Sequence, residues 1–232
     1  SDIADHIEMD VAPNQGARVE KIVALIRSCK EAHQNCQAAS VSLIEEAPNF
    51  RTLAVHHASA WNKLWNIGDI QLSGHKQIQK VLRLHTFHLF QTFSPKTQSL
   101  DVSGPARGLH GEAYRGHIFW DEVFILPFFL LREPRLARTT LLYRYRRLKE
   151  ARAAARCTGY AGAMFPWQSG SSGREESPVL HLNPESGRWT RDSSYTQRHV
   201  NIAVAYNLWQ YWESSRDTRF MIGAGAEMYL DI

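Results

Sequence analysis

Arg107-Gly-Leu-His-Gly-Glu-Ala-Tyr-Arg-Gly-His-Ile-Phe-Trp-Asp-Glu-Val-Phe-Ile-Leu-Pro127 packs glycines, aromatic rings and both charge signs more densely than a plain core segment does. Gly108, Gly111 and Gly116 let the backbone turn sharply and come close to a ligand. Arg107, His110, Glu112, Arg115, His117, Asp121 and Glu122 gather cations and carboxylates, and Tyr114 and Trp120 add flat apolar faces. That mixture suits a sugar: hydroxyls take carboxylate and guanidinium partners, and the C–H face of a pyranose lies well on an indole such as Trp120 beside Asp121. On these residues alone, Glu112 and Asp121 are the acid and base candidates for glycosidic cleavage. Residues 123–131 are almost wholly apolar and would plant the site on a buried helix or strand.

Outward from this stretch the chain reads as helices. Residues 28–47 carry apolar residues at three- and four-residue spacing and stop at Pro48. Asn49 can cap the next helix, with Phe50, Leu53, Ala54, His57, Trp61, Leu64 and Trp65 on one face before Gly68. Residues 76–93 form a third, striped by Ile78, Val81, Leu82, His85, Leu89 and Phe93. Pro134 opens a helix that runs to Cys157 with a break near Leu148, and residues 197–212 and 218–232 supply two more. Residues 19–26 alternate loosely and predict a strand without a partner in this sequence. Successive amphipathic helices argue for helix-on-helix packing.

Three other features carry weight. Residues 159–173 combine small residues with Pro166, so that Trp167 and Gln168 are offered from a loop, with Trp167 a candidate to line a pocket opposite Trp120. Gly170-Ser-Ser-Gly173 lacks a following Lys and an introducing strand, and is a poor phosphate loop. Glu175, Glu176 and the polar stretch to Ser194 read as an excursion over the mouth of the site. The basic run Arg144 to Lys149, continued by Arg152 and Arg156, reads as a solvated helix face or helix-end charge complement. His85 and His88 have no carboxylate or cysteine at ligand spacing, and no metal site is assigned.

Composition bounds the class. With 232 residues, 44% hydrophobic and 22% charged, the chain can bury a substantial core. A formal charge of +4 with scattered Lys and Arg does not call for nucleic acid. Cys29, Cys36 and Cys157 make no metal spacing and leave one unpaired, which favours a reducing, cytoplasmic setting. The first 25 residues lack a signal-peptide pattern, and the apolar run at 123–131 is far short of the roughly 20 residues of a membrane span.

Gly108-Leu-His-Gly-Glu-Ala-Tyr-Arg-Gly-His-Ile-Phe-Trp-Asp121, followed by Gly159-Tyr-Ala-Gly-Ala-Met-Phe-Pro-Trp-Gln-Ser169, resembles glycoside hydrolase family 65. That family holds maltose, trehalose and kojibiose phosphorylases and some hydrolases, and the likeness extends from Val19 through His56 and Trp65 to Glu227. The resemblance implies an all-α, incomplete (α/α)6 barrel of the six-hairpin glycosidase kind, with a short β-derived N-terminal tail. Residues 1–27 would be the tail of a β-sandwich domain, 28–55 linker helices, and 56–232 the first part of the catalytic barrel.

The same resemblance implies that Trp120 and Asp121 bind a glucosyl unit, with Arg115, His117 and Trp167 as further substrate-binding candidates. It puts the general acid, a glutamate, and a substrate-binding Lys-Gln pair beyond Ile232, so no catalytic residue is assigned here. The expected function is inverting cleavage of α-linked glucose disaccharides, with inorganic phosphate as co-substrate and no cofactor or metal. A hydrolase of the same family, a noncatalytic carbohydrate-binding helical protein and a nucleic-acid-binding domain are the alternatives. Expected partners are a disaccharide and, in a full-length protein, a second copy, with neither nucleic acid nor membrane. The 232 residues alone are expected to be inactive and to leave apolar surface uncovered within 200–211 and 228–230.

Overall fold

The computed structural model describes residues 6–26, 35–111 and 113–232. Cys29, Glu112 and the first part of the expected helix at 28–47 therefore lie outside the described residues. The chain divides into two compact units, residues 1–63 and 64–232.

In the first unit the strand expected at 19–26 does not form. A strand needs a neighbour to take up its backbone donors and acceptors, and no described residue supplies one. Helix α1 spans Cys36–Glu45, opened by the Asn35 side chain accepting from the Ala38 amide at 3.0 Å. Helix α2, Phe50–Gly68, whose last five residues belong to the second unit, begins as expected at Asn49, whose Oδ1 accepts from the Thr52 amide at 3.0 Å. The apolar face read from Phe50 to Trp65 is not buried, and Gly68 is the one buried residue of this helix. A pattern shows which side of a helix can be covered, not that it is.

In the second unit α3 runs Lys76–Thr92 and buries Thr86 and Phe90, followed by Phe93. Ile78 and Val81, expected in its stripe, are exposed. The core forms where α4, Glu122–Arg132, packs on α7, His199–Ser215, and on α5, Pro134–Tyr145, which in turn packs on α7. Leu126, Phe129, Leu136, Leu141, Val200 and Leu208 fill it. Helix α6, Leu148–Cys157, follows α5 after the expected break. Helix α8, Thr218–Phe220, passes through a π-helical turn at Met221–Gly225 into α9, Ala226–Asp231. This mostly helical architecture is that of an incomplete (α/α)6 barrel. Among the described residues no helix is long and apolar enough to cross a membrane.

The structure corrects one expectation, for the basic run, and adds detail to two others. The excursion after Glu176 contains an antiparallel hairpin, β1 at Leu180–Leu182 with β2 at Trp189–Arg191, closed by Asn183 accepting from the Glu185 and Ser186 amides. The basic run is only partly a solvated face: Arg146, Lys149 and Arg156 are exposed, but Arg144 and Arg147 are 1% and 5% exposed and paired with Glu122 and Asp101. The last turn of α5 points inward, and a guanidinium can go there only with a carboxylate to meet it. Within 200–211, Val200, Val204, Leu208 and Tyr211 are covered by this chain itself, and the uncovered apolar groups are Ile202, Tyr206 and Trp209. Met228 is likewise buried while Leu230 is exposed.

The segment after α6 is fastened to the end of α9. Gly162 adopts φ +84°, an added Cβ there would strike the Asp231 carbonyl, and the next amide, Ala163, donates to that same oxygen at 2.6 Å. Gly159 has φ +83° with open space around it. Gly159→Ala should therefore cost only the left-handed backbone penalty, about 1 kcal/mol, and Gly162→Ala about 3 kcal/mol, because the clash adds to that penalty. Urea unfolding of the two variants checks the difference; equal losses would show that the Gly162–Asp231 contact carries no stability.

Candidate functional site

The two informative stretches of sequence meet in space. Ile118 and Ser169 form an isolated antiparallel bridge, the Ile118 amide donating to Ser169 at 3.0 Å and the Ser169 amide to Ile118 at 2.9 Å. The chain then turns through Trp120 and Asp121 into α4, of which Asp121 is the N-cap residue. Trp120 and Asp121 thus occupy a turn held at one end by the bridge and at the other by a buried helix.

An aromatic cluster surrounds this turn. Trp120 meets His199 edge-on at 4.8 Å, Phe124 at 5.2 Å and Trp167 at 6.3 Å. Trp167 also meets His199 at 4.9 Å and Phe119 at 5.4 Å. At these separations the rings touch one another, so Trp167 stands beside Trp120 rather than across an open pocket from it. Trp167 is fixed from behind by the Glu175 carboxylate, which accepts from the Trp167 amide at 2.7 Å and the Gln168 amide at 3.1 Å.

Asp121 is partly buried, and burial pushes its carboxyl above the usual carboxylate range. Its own backbone N–H is the one group that favours the anion, and among the described residues no cation pairs with it.

Arg115 and His117 lie elsewhere. Tyr114, Arg115 and Gly116 have φ values of +56°, +53° and +70°, a left-handed turn that two non-glycine residues rarely adopt. His117 closes it, with Nδ1 2.9 Å from the Tyr114 carbonyl and Nε2 2.7 Å from Glu176 Oε2. The His117 hydrogen bond, with Ser172 and the charge of Arg115 helping, holds Glu176 below the usual carboxylate range against its desolvation. Arg115 and His117 line a cavity of about 390 Å³ with Asp101, Tyr143, Arg147 and Glu176. Trp120, Asp121 and Trp167 are not part of its wall. A second cavity, of about 490 Å³, is lined by His85, His88, Arg107 and His110, with His88 and His110 stacked at 3.6 Å. Among the described residues no three His, Cys, Asp or Glu side chains converge as metal ligands do.

Sequence reasoning passed over His199 and Glu175. His199 opens α7, 32 positions after Trp167, and no local pattern ties the two together. Glu175 follows an exposed loop, and a carboxylate in that position is a common way to satisfy the loop's amides.

The fold and this turn define a class. The family model for the glycosyl hydrolase family 65 central catalytic domain matches residues 83–232, and the chain belongs to that family. It is 45% identical over 226 residues to an uncharacterized glycosyl hydrolase of Mycobacterium tuberculosis, covering 97% of this chain and 17% of that one. It is 38% identical over 237 residues to the trehalose 6-phosphate phosphorylase of Lactococcus lactis, covering 99% and 30%. Kojibiose phosphorylases and the kojibiose hydrolase of Flavobacterium johnsoniae are also relatives. A solved structure described as "Putative kojibiose phosphorylase from human microbiome" superposes with a TM-score of 0.73 at 27% identity, over 87% of this chain and 25% of that one. The chain thus spans less than a third of the length of these relatives.

The raised carboxyl of Asp121 has a consequence for stability. In the window between its ordinary and its raised value the folded state binds more protons than the unfolded state, so this group's contribution falls as pH rises. Asp121→Asn removes a half-buried charge while keeping a good N-cap residue. Its urea midpoint should exceed the parent's at pH 7, and the gap should close as the pH is lowered towards the usual carboxylate range. A midpoint below the parent's at pH 7 would show that the charge is stabilised, contrary to the burial.

Proposed function

We propose that this chain forms the glucosyl-binding part of a catalytic barrel that cleaves α-linked glucose disaccharides by phosphorolysis with inversion. The observation that supports it is the Asp121 carboxylate, partly buried and unpaired among the described residues, set next to the Trp120–Trp167–His199 cluster. In this reading Asp121 accepts hydrogen bonds from ring hydroxyls and Trp120 offers its outer face to the sugar's C–H groups. Trp167 widens that platform. Arg115 and His117 serve a separate polar cavity and contact substrate only if it reaches that far.

The reaction needs a carboxylic acid that protonates the leaving oxygen as its bond to C1 breaks, while a phosphate oxygen forms a new bond to C1 from the opposite face. The proposal assigns the acid and the phosphate site to parts of a full-length enzyme outside these 232 residues. Residues 1–27 are read as the tail of a β-sandwich domain, 28–55 as linker helices and 56–232 as the barrel portion, in a cytoplasmic enzyme that forms a homodimer. Hydrolysis is the second reading, because a kojibiose hydrolase stands among the relatives; it would replace phosphate by a water activated by a second carboxylate.

In a full-length version, Asp121→Asn should lower affinity and turnover together, each lost charge-assisted bond costing about 1.5–3 kcal/mol, or roughly 10- to 150-fold in kcat/KM. Trp120→Ala should cost more than Trp120→Phe, since a smaller aromatic face survives in the latter. Assays that follow glucose 1-phosphate and glucose separately on trehalose, kojibiose, maltose and trehalose 6-phosphate test the whole reading. Activity of Asp121→Asn within about two-fold of the parent would remove Asp121 from the site, and glucose release independent of phosphate would establish the hydrolase.

A further inference from the structure

We propose that Arg144 is a positioning residue for the glucosyl site: it sets the backbone turn that carries Trp120 and Asp121 by gripping that turn on both sides. Arg144 Nη2 donates to the Phe119 carbonyl at 2.6 Å, just before the turn. The same Nη2 and Nε donate to Glu122 Oε2 at 2.9 Å and 3.1 Å, just after it. The other Glu122 oxygen accepts from the Ser103 hydroxyl. One planar guanidinium therefore spans residues 119 and 122, and the two residues between them are those read as the sugar grip. The inference rests on that reading.

The neighbours of Arg144 extend the frame to Trp167. Tyr143 donates to the Gly170 carbonyl at 2.6 Å and is 2.9 Å from the Ser169 hydroxyl. Arg147 donates to the Gly170 and Ser171 carbonyls while Asp101 holds its far end. Residues 143–147, from the last turn of α5 to the N-cap of α6, thus peg the loop after Trp167 and the turn of Trp120.

Stability alone is a poor explanation of the Arg144–Glu122 pair. Burying two charges costs about as much as their attraction returns, and well-packed apolar replacements of such pairs are often neutral or stabilising. Arg144 Nη1 is moreover buried without a partner among the described residues, a cost that a pair kept only for stability would avoid. What an apolar pair could not do is hold a carbonyl and a carboxylate in fixed register.

The test uses full-length enzyme and three variants. In the double variant Glu122→Leu/Arg144→Met the charges are replaced by apolar groups; it should melt close to the parent yet lose about 10- to 100-fold in kcat, with KM changing less, because a shift of about 1 Å in a binding group penalises the transition state most. Arg144→Lys keeps the charge but cannot fork to both acceptors, and should show the same split. A double variant that melts like the parent and keeps kcat/KM within about two-fold overturns the proposal. Should the double variant fail to fold, Arg144→Lys decides in the same way, and a folded Arg144→Lys with parental kcat/KM overturns it. Asp121→Asn, run alongside, separates the two failures: if it is fully active the glucosyl reading itself falls, whereas an impaired Asp121→Asn beside a fully active double variant rejects only the role of Arg144.

Discussion

Taking a guanidinium out of water is costly unless hydrogen-bonding partners replace it, and Arg144, nearly fully buried, finds them for Nε and Nη2 in Glu122 and the Phe119 carbonyl. The partners lie 22 and 25 positions away in sequence, so satisfying one side chain fixes the approach of α5 to the start of α4 and to the extended residues before it. Tyr143, in the last turn of α5, and Arg147, at the start of α6, bind the carbonyls of residues 170 and 171. Asp101 closes the arrangement. Burial pushes its carboxyl up, and the Arg147 and Arg146 guanidinium groups more than offset this and hold it low. Most of the polar groups that order the two site loops thus trace back to residues 143–147, where α5 gives way to α6.

Against that tightly paired background Asp121 stands out, among the described residues, by having no cation beside it. Glu122 and Asp101 meet guanidinium groups, Glu175 meets backbone amides and Glu176 the His117 ring, whereas Asp121 is partly desolvated and has no such side-chain partner among the described residues. Carboxylates that serve only the fold are held low, as Asp101 and Glu176 are. A carboxylate kept high and unpaired costs stability, and such sites are where ligand-binding groups are found. The left-handed turn at Tyr114–Gly116 is a second local cost, tied down by His117 and Glu176. The two features sit in neighbouring but separate places, which is why the candidate residues of the stretch 107–127 do not form one pocket.

Much of the fold was legible residue by residue. Asn49 and Pro134 mark helix starts, the break near Leu148 divides α5 from α6, and the stretch 108–121 with 159–169 carries the family likeness that residues 83–232 bear out. The errors share a cause. Periodicity reports which side of an element is apolar, but an amphipathic face such as that of α2 can remain uncovered, and an arginine-rich turn such as that of α5 can point inward. The three-residue strands at 180–182 and 189–191 are fully exposed and leave no burial pattern to detect.

The sequence by itself determined the helical class, the family and the pairing of Trp120 with Asp121, because caps, breakers and a dense local motif are properties of adjacent residues. Tertiary structure decided the rest: that Trp167 and His199 join Trp120 in one cluster, that Arg115 and His117 do not, and that Arg144 and Arg147 are internal. Those outcomes depend on which distant group arrives to satisfy a charge or cover a ring. Such partners are chosen by three-dimensional packing and by the cost of burying a polar group alone, neither of which has a fixed spacing along the chain.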